Sequence, residues 1–271
     1  MKRALACCLS LLLWPLTIAA SAAGESAAIK SATAETAVVN ASFKSKEDVT
    51  QWMTFYYQQP EPEKIPDAIQ YLSESDMLDK NSAPPVFGFL SGVFRDNPDK
   101  VATWINQIGS YKEHHLTVLV LGVWYAALPQ SKEIAQNLLE KYPASKTQFT
   151  HLLKSEPITV EQIPIQEGPW VLDALWGKFL ATGDSAPVER IISAVPWVNV
   201  KGDVNRLLVG GAARWSLTSN AVQHKRVLEI CEKAEKTQSA EVAKELAKII
   251  KKANEPLKIE QKPTGNANAT P

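Results

Sequence analysis

The chain has 271 residues with 29 basic and 29 acidic side chains. It is long enough to bury a sizeable core, and it lacks the clustered positive charge that nucleic-acid binding requires. Lys2 and Arg3, the apolar run from Leu5 to Ala20 and the small-residue step Ala20-Ser21-Ala22 form a secretory signal over residues 1–23. An uncleaved anchor is the alternative reading of that run. Loss of Lys2 and Arg3 leaves 27 basic against 29 acidic residues, a net of −2. It also leaves Cys231 as the sole cysteine, so the exported chain has no intrachain disulfide and depends on its core. Cys7 and Cys8 precede most of the apolar run, which argues against a lipidated cysteine.

Residues 24–43 are rich in Ala, Ser, Thr and Glu and read as a flexible linker. Helical patterning occupies residues 44–254 and begins with Ser45 as a cap. Val49, Trp52, Met53 and Tyr56 form the first stripe, and Ile65, Ala68, Ile69 and Leu72 the next. Pro84-Pro85 opens a helix with Phe87, Leu90 and Phe94 on one side, and Asn97-Pro98 marks a turn before Val101, Trp104, Ile105 and Ile108. Leu116, Leu119, Val120, Val123, Trp124 and Ala127 line a helix that Val118 and Leu121 make apolar on more than one side, a sign of burial between neighbours. Pro129 breaks it, and Ser131 caps a helix carrying Ala135, Leu138, Leu139 and Tyr142.

Residues 155–169 interrupt the rhythm with Pro157, Pro164 and Pro169. The stretch reads either as a functional loop or as a linker packed across the helices. The clearest hairpin follows. Leu172, Leu175, Trp176, Phe179 and Leu180 make one stripe, with Asp173, Gly177 and Lys178 off it. Gly183 closes the helix, Asp184 or Ser185 caps the next, and Val188, Ile191, Ile192 and Val195 make the facing stripe. Val204, Leu207, Leu208, Gly211, Ala212 and Trp215 form a further stripe, in which the Gly210-Gly211 pair marks a close helix approach or a kink. Val227 to Ala234 is its partner helix. An amphipathic end helix after Ser239 has a lysine-rich outer face, as suits a terminal cap, and Glu241 and Glu245 offset its charge. Residues 255–271 read as a disordered tail.

Aligning the hairpins on Phe55, Phe94, Trp124, Phe179 and Trp215 gives spacings of 39, 30, 55 and 36. Such periods suit irregular helical-hairpin repeats. The expected fold is therefore all-α, stacked as an α-solenoid, with a globular helical bundle as the alternative.

No catalytic motif stands out. Gly88-Phe89-Leu90-Ser91-Gly92 has its serine one place late for a nucleophile elbow and lies in a helical context. His114, His115, His151 and His224 have no metal-ligand spacing and read as solvated or capping residues. No metal or cofactor is implied. Asp173 and Glu189 read as helix-surface charges, and Cys231 as a small buried hydrophobe. Trp176 belongs to the core. Trp170, beside the Pro-rich stretch, and Trp197, after Pro196, are candidates to line a recognition groove, with Asp173 nearby in sequence.

The segment carrying Leu172, Asp173, Leu175, Trp176, Phe179, Ala181, Thr182, Gly183, Asp184, Arg190 and Ile191 resembles uncharacterised exported helical proteins of Gram-negative bacteria. The resemblance implies export and a helical fold and brings no activity with it. These features point to a periplasmic or secreted helical-repeat protein that binds a protein or peptide, without nucleic acid and without a membrane span in the mature chain. A small-ligand carrier or enzyme, with an apolar pocket near Trp170 and residues 155–169, is the second expectation. A structural envelope protein is the third.

Overall fold

The computed structural model describes residues 42–75, 77–78, 82–107 and 113–255, so the signal, most of the linker, Ile108 and all but the first residue of the tail lie outside it. The described chain is helical without a strand. In order the helices are α1 (Lys46–Phe55), α2 (Ile65–Glu74), α3 (Ala83–Asp96), α4 (Val101–Gln107), α5 (Glu113–Ala126), α6 (Ser131–Glu140), the single turns α7 (Pro143–Lys146) and α8 (Thr150–Leu153), α9 (Pro169–Thr182), α10 (Ser185–Ile192), α11 (Val204–Gln223), α12 (Lys225–Thr237) and α13 (Ala240–Ala253).

Several ends follow local chemistry. The Ser45 hydroxyl accepts from the Asp48 amide at 3.1 Å and starts α1. Gly183 closes α9 at φ 69°, in the left-handed region where a Cβ is penalised. Asp184 takes the cap position of α10 but makes no side-chain cap bond; instead its amide donates to the Thr182 hydroxyl at 3.1 Å. Ser131 is not the cap of α6. It is the first helical residue, fully buried, and its hydroxyl accepts from the Leu128 amide and donates to the Val123 carbonyl at 2.6 Å. That bridge ties α6 to the end of α5. Ala127, expected on the α5 stripe, lies beyond the helix at φ 51°.

The tightest contact in the molecule is between α3 and α9. A Cβ added at Gly88 would lie 2.0 Å from the Ala174 carbonyl oxygen, and one at Gly177 would lie 1.9 Å from that of Pro85. A Cβ at Gly92 would lie 2.7 Å from the Ala181 Cβ, a side-chain contact along the same seam. Only hydrogen fits at these positions, so the two backbones touch. Gly122 of α5 meets the Leu90 Cβ on the other flank of α3 at 2.9 Å. Helix α3 is therefore wedged between α5 and α9, and ten of its residues, from Pro84 to Phe94, are buried. Ser91 is among them, its hydroxyl bonded back to the Gly88 carbonyl at 2.7 Å. Helix α9 is likewise buried nearly all round, including Gly177 and Lys178, which the pattern placed off its stripe.

Lys178 is tolerated there because Glu161 reaches it at 2.9 Å. Burial pushes the Glu161 carboxyl up, but the hydrogen bond and charge of Lys178 outweigh it and hold the carboxyl below the usual range. Residues 155–169 are thus a packed crossing: Val160, Ile163 and Ile165 are buried, and Thr159 and Gln162 form a capping box. At the end of the chain α13 packs on α11 and α12. Glu245 is buried, with Lys248 at 2.6 Å and Arg214 at 3.9 Å. No described helix is long and apolar enough to cross a membrane.

Gly88→Ala and Gly177→Ala each drive a Cβ into a carbonyl that belongs to a packed helix. Each is expected to destabilise the fold by about 3 kcal/mol or more. Gly211→Ala, where nothing lies within 4 Å of the added Cβ, is expected to stabilise it by about 1 kcal/mol. Urea unfolding followed by circular dichroism at the helix band distinguishes the two outcomes.

Candidate interaction face

Helix α11 runs for 20 residues and starts at Asp203, whose carboxylate accepts from the Arg206 amide at 3.0 Å. Asn205 anchors its first turn by donating to the Gln166 carbonyl at 2.6 Å. One face is inward: Val209, Gly210, Ala213, Leu217, Asn220 and Ala221 are buried against the 3₁₀ turn Val195–Asn199 and against α9, α12 and α13. A Cβ at Gly210 would lie 2.3 Å from the Val198 amide nitrogen. Gly210 therefore marks a close approach, as one of its two expected readings had it, though the partner is a 3₁₀ turn and not a helix.

The opposite face is bare. Val204, Leu207, Leu208, Trp215 and Val222 are 72, 44, 54, 46 and 47 % exposed, and these five are the exposed large hydrophobic residues of the described chain. Burying such side chains contributes about 1.5–3 kcal/mol each, so leaving five uncovered on one helix forgoes a large part of the stability of a small domain. This corrects the sequence expectation. The stripe Val204, Leu207, Leu208, Gly211, Trp215 does lie on one side of a helix, but it is the outer side. The smaller residues four apart, Val209, Ala213, Leu217 and Ala221, supply the core face. The aromatics used to align the hairpins divide accordingly, with Phe94, Trp124 and Phe179 fully buried and Trp215 in solvent.

The sequence-predicted site residues fall on different elements. Trp170 is half-buried in the first turn of α9, its indole nitrogen donating to the Glu167 carbonyl at 3.1 Å and its ring edge-on to Phe87 of α3. Trp197 is half-buried beneath α11, where the Arg206 guanidinium lies 5.3 Å from the ring centroid. No ring contact joins the two indoles. Asp173 is half-buried with no hydrogen-bond or ion-pair partner among the described residues, and burial raises its pKa to about 7. A carboxylate near neutrality is what general acid–base chemistry uses. Here burial alone causes the shift, with no second titratable group acting on it. A cavity of about 10 Å³, room for no more than one water, lies near His115, Leu119 and Leu72. A shallow 350 Å³ depression lies between Phe43, Trp52 and Lys64. Neither touches Trp170 or residues 155–169. Among the described residues no three His, Cys, Asp or Glu side chains come together as a metal set.

Two of the histidines expected to be solvated or capping are buried, and one of them, His224, stands at a helix-capping position. His115 is buried beside the Ser73 hydroxyl at 3.4 Å. His224 joins α11 to α12 and is wholly buried among Phe55, Tyr57 and Phe179, its Nδ1 at 3.3 Å from the Tyr57 hydroxyl and its Nε2 without a partner. Burial lowers its pKa to about 4. Cys231 is buried as expected, which pushes its thiol up to about 12.

Compared with family models, with curated protein sequences and with solved structures, the chain matches none.

The two shifted groups act on stability in opposite directions. The unfolded chain binds the His224 proton from about pH 6.5 downwards, while the fold resists it to about pH 4. Stability from His224 is therefore present above that window and is lost as pH falls through it, by up to about 3 kcal/mol. Asp173 holds its proton to about pH 7 in the fold but releases it near 3.8 when unfolded. Its contribution is present at low pH and lost as pH rises towards 7. Asp173→Asn should raise the melting temperature at pH 8 and leave it nearly unchanged at pH 3.5, and scanning calorimetry across that range measures the difference.

Proposed function

We propose that this protein is an exported, all-helical binding protein that docks another polypeptide on the outer face of α11. The observation that carries the reading is the confinement of the exposed large apolar side chains to that one helix. Arg214, held at 3.9 Å by buried Glu245, supplies a charged flank to them. An apolar centre with a polar rim is the general form of protein interfaces. The anchors also suit a helix-in-groove or helix-on-helix mode, read as i, i+3, i+4 and i+7 contacts from Val204.

We take the helices as a bundle gathered about α3 and α9, with α10 and α11 packed on α9 and α12 and α13 on α11. That arrangement replaces the concave solenoid groove with a single helix face as the place of binding. Export is supported by the basic start, the apolar run from Leu5 to Ala20 and the small-residue step after it, together with the resemblance around Trp176. The periplasm is the compartment we favour, with secretion the alternative. A small-ligand or enzymatic role at Trp170 and Asp173 ranks second. The shifted pKa of Asp173 favours it, and the packed surroundings weigh against it. A structural envelope role ranks third.

Leu208→Glu and Trp215→Glu place charges on the outer face without touching the core. In cells expressing the protein, crosslinked adducts captured by a photo-reactive residue at Val222 are expected to fall at least about tenfold in either variant, a loss of about 1.4 kcal/mol or more. Asp173→Asn should leave them unchanged. Adducts that survive both charge substitutions and vanish with Asp173→Asn would move the site to α9.

A further inference from the structure

The outer face of α11 has a periodicity of its own. Val204, Leu208, Gly211, Trp215, Thr218 and Val222 follow one another at intervals of four and three in strict alternation. That is the 3.5-residue repeat of a coiled-coil seam, which a helix needs only when a second helix lies along it. The seam is also complementary to itself when reversed. In an antiparallel pair with its two-fold axis level with Ala213, Val204 meets Val222, Leu208 meets Thr218, and Gly211 meets Trp215. The largest side chain of the face thereby sits opposite the residue that has none. Gly211 is suited to that part, since nothing lies within 4 Å of its missing Cβ. It leaves a notch in the outer surface that the protein's own core does not use. A parallel pair would stack indole on indole in one layer and leave a void at glycine in another.

We infer that the occupant of this face is a second copy of the same chain, joined through an antiparallel α11–α11 seam in which each Trp215 indole fills the notch at Gly211 of the other copy. The inference rests on the docking role proposed for α11 and names its partner. An isologous contact of this kind closes on itself and requires self-complementarity of one patch, which the reversed register supplies. The extent of the surface sets the strength. The five exposed side chains present roughly 500 Å² on one copy. Two copies together approach the lower bound of about 1,200 Å² for specific interfaces once the rim is added. The product is a reversible dimer and not an obligate one. Arg214 lies on the flank where two copies would bring like charges together, and its pairing with buried Glu245 commits its charge to its own chain.

Sedimentation velocity of the purified protein from about 1 µM to about 1 mM should show a monomer–dimer equilibrium. Gly211→Leu makes the face more apolar, so general stickiness would strengthen association. Filling the notch predicts the reverse, a dissociation constant raised at least about tenfold with an unchanged helical spectrum. Register is read separately. An oxidised mixture of Leu208→Cys and Thr218→Cys proteins should give a disulfide-linked dimer of one of each. Neither variant should crosslink to itself, since like positions are offset by about 15 Å along the seam, and buried Cys231 stays out of the reaction. A protein that is monomeric throughout, or a dimer indifferent to Gly211→Leu and without the mixed crosslink, overturns the inference. In the monomeric case, loss of Val222 adducts to a different protein in Trp215→Glu would keep the docking role of α11 and assign it another partner. Absence of both results would remove the docking role as well.

Discussion

The contact between α3 and α9 is the constraint on which the rest of the structure depends. Gly88 and Gly177 each face a carbonyl of the other helix at a distance no Cβ can occupy. Hydrogen there is a steric requirement. Glycine inside a helix costs about 1 kcal/mol against alanine, and the cost is offset by bringing two long apolar helices into backbone contact. Once α9 is set against α3, most of its circumference is enclosed. Lys178 then needs Glu161 as a partner, which pins residues 155–169 against α9, and Asn205 attaches α11 to that crossing through the Gln166 carbonyl. The orientation of the candidate interaction face is thus traceable to a pair of glycines in other helices.

Helix α11 shows the same economy with a different result. Gly210 lets it lie against the turn at Trp197 and Val198, while Gly211, the next residue, points outward into open space. Adjacent glycines serve two surfaces because successive residues of a helix are 100° apart, and 210 and 211 fall on either side of the boundary between core and solvent. The inner face is built from small residues that allow close packing. The outer face keeps the bulk. A domain that buries Trp104, Trp124 and Trp176 nearly completely leaves Trp215 half in water, and an interface is the setting in which that distribution lowers free energy.

Much of the local structure was legible in the residues. Ser45 as a cap, Gly183 as a left-handed stop, the stripes of α2, α3, α9 and α10, and the burial of Cys231 follow from spacing and backbone chemistry within one or two turns. The misreadings share a cause. Ser131 was legible as a helix-starting serine, but its hydroxyl is claimed by the Val123 carbonyl eight residues back. Lys178 falls off the apolar stripe and His224 reads as solvated or capping, while the partner and rings that enclose them come from distant segments. The α11 stripe was found with the right period and the wrong side.

That last case marks the division between the two levels. The sequence by itself determined that the chain is helical, where several of its helices begin or end, and that an apolar stripe runs from Val204 to Trp215. Periodicity states that a stripe exists. It does not state which of two stripes on one helix is covered, because both satisfy the same spacing and the larger side chains make the outer one look more like core. Only the tertiary structure decided that, through Gly210. The closest approach available to α11 runs over the small residues, and a helix packed that closely turns its larger side chains away.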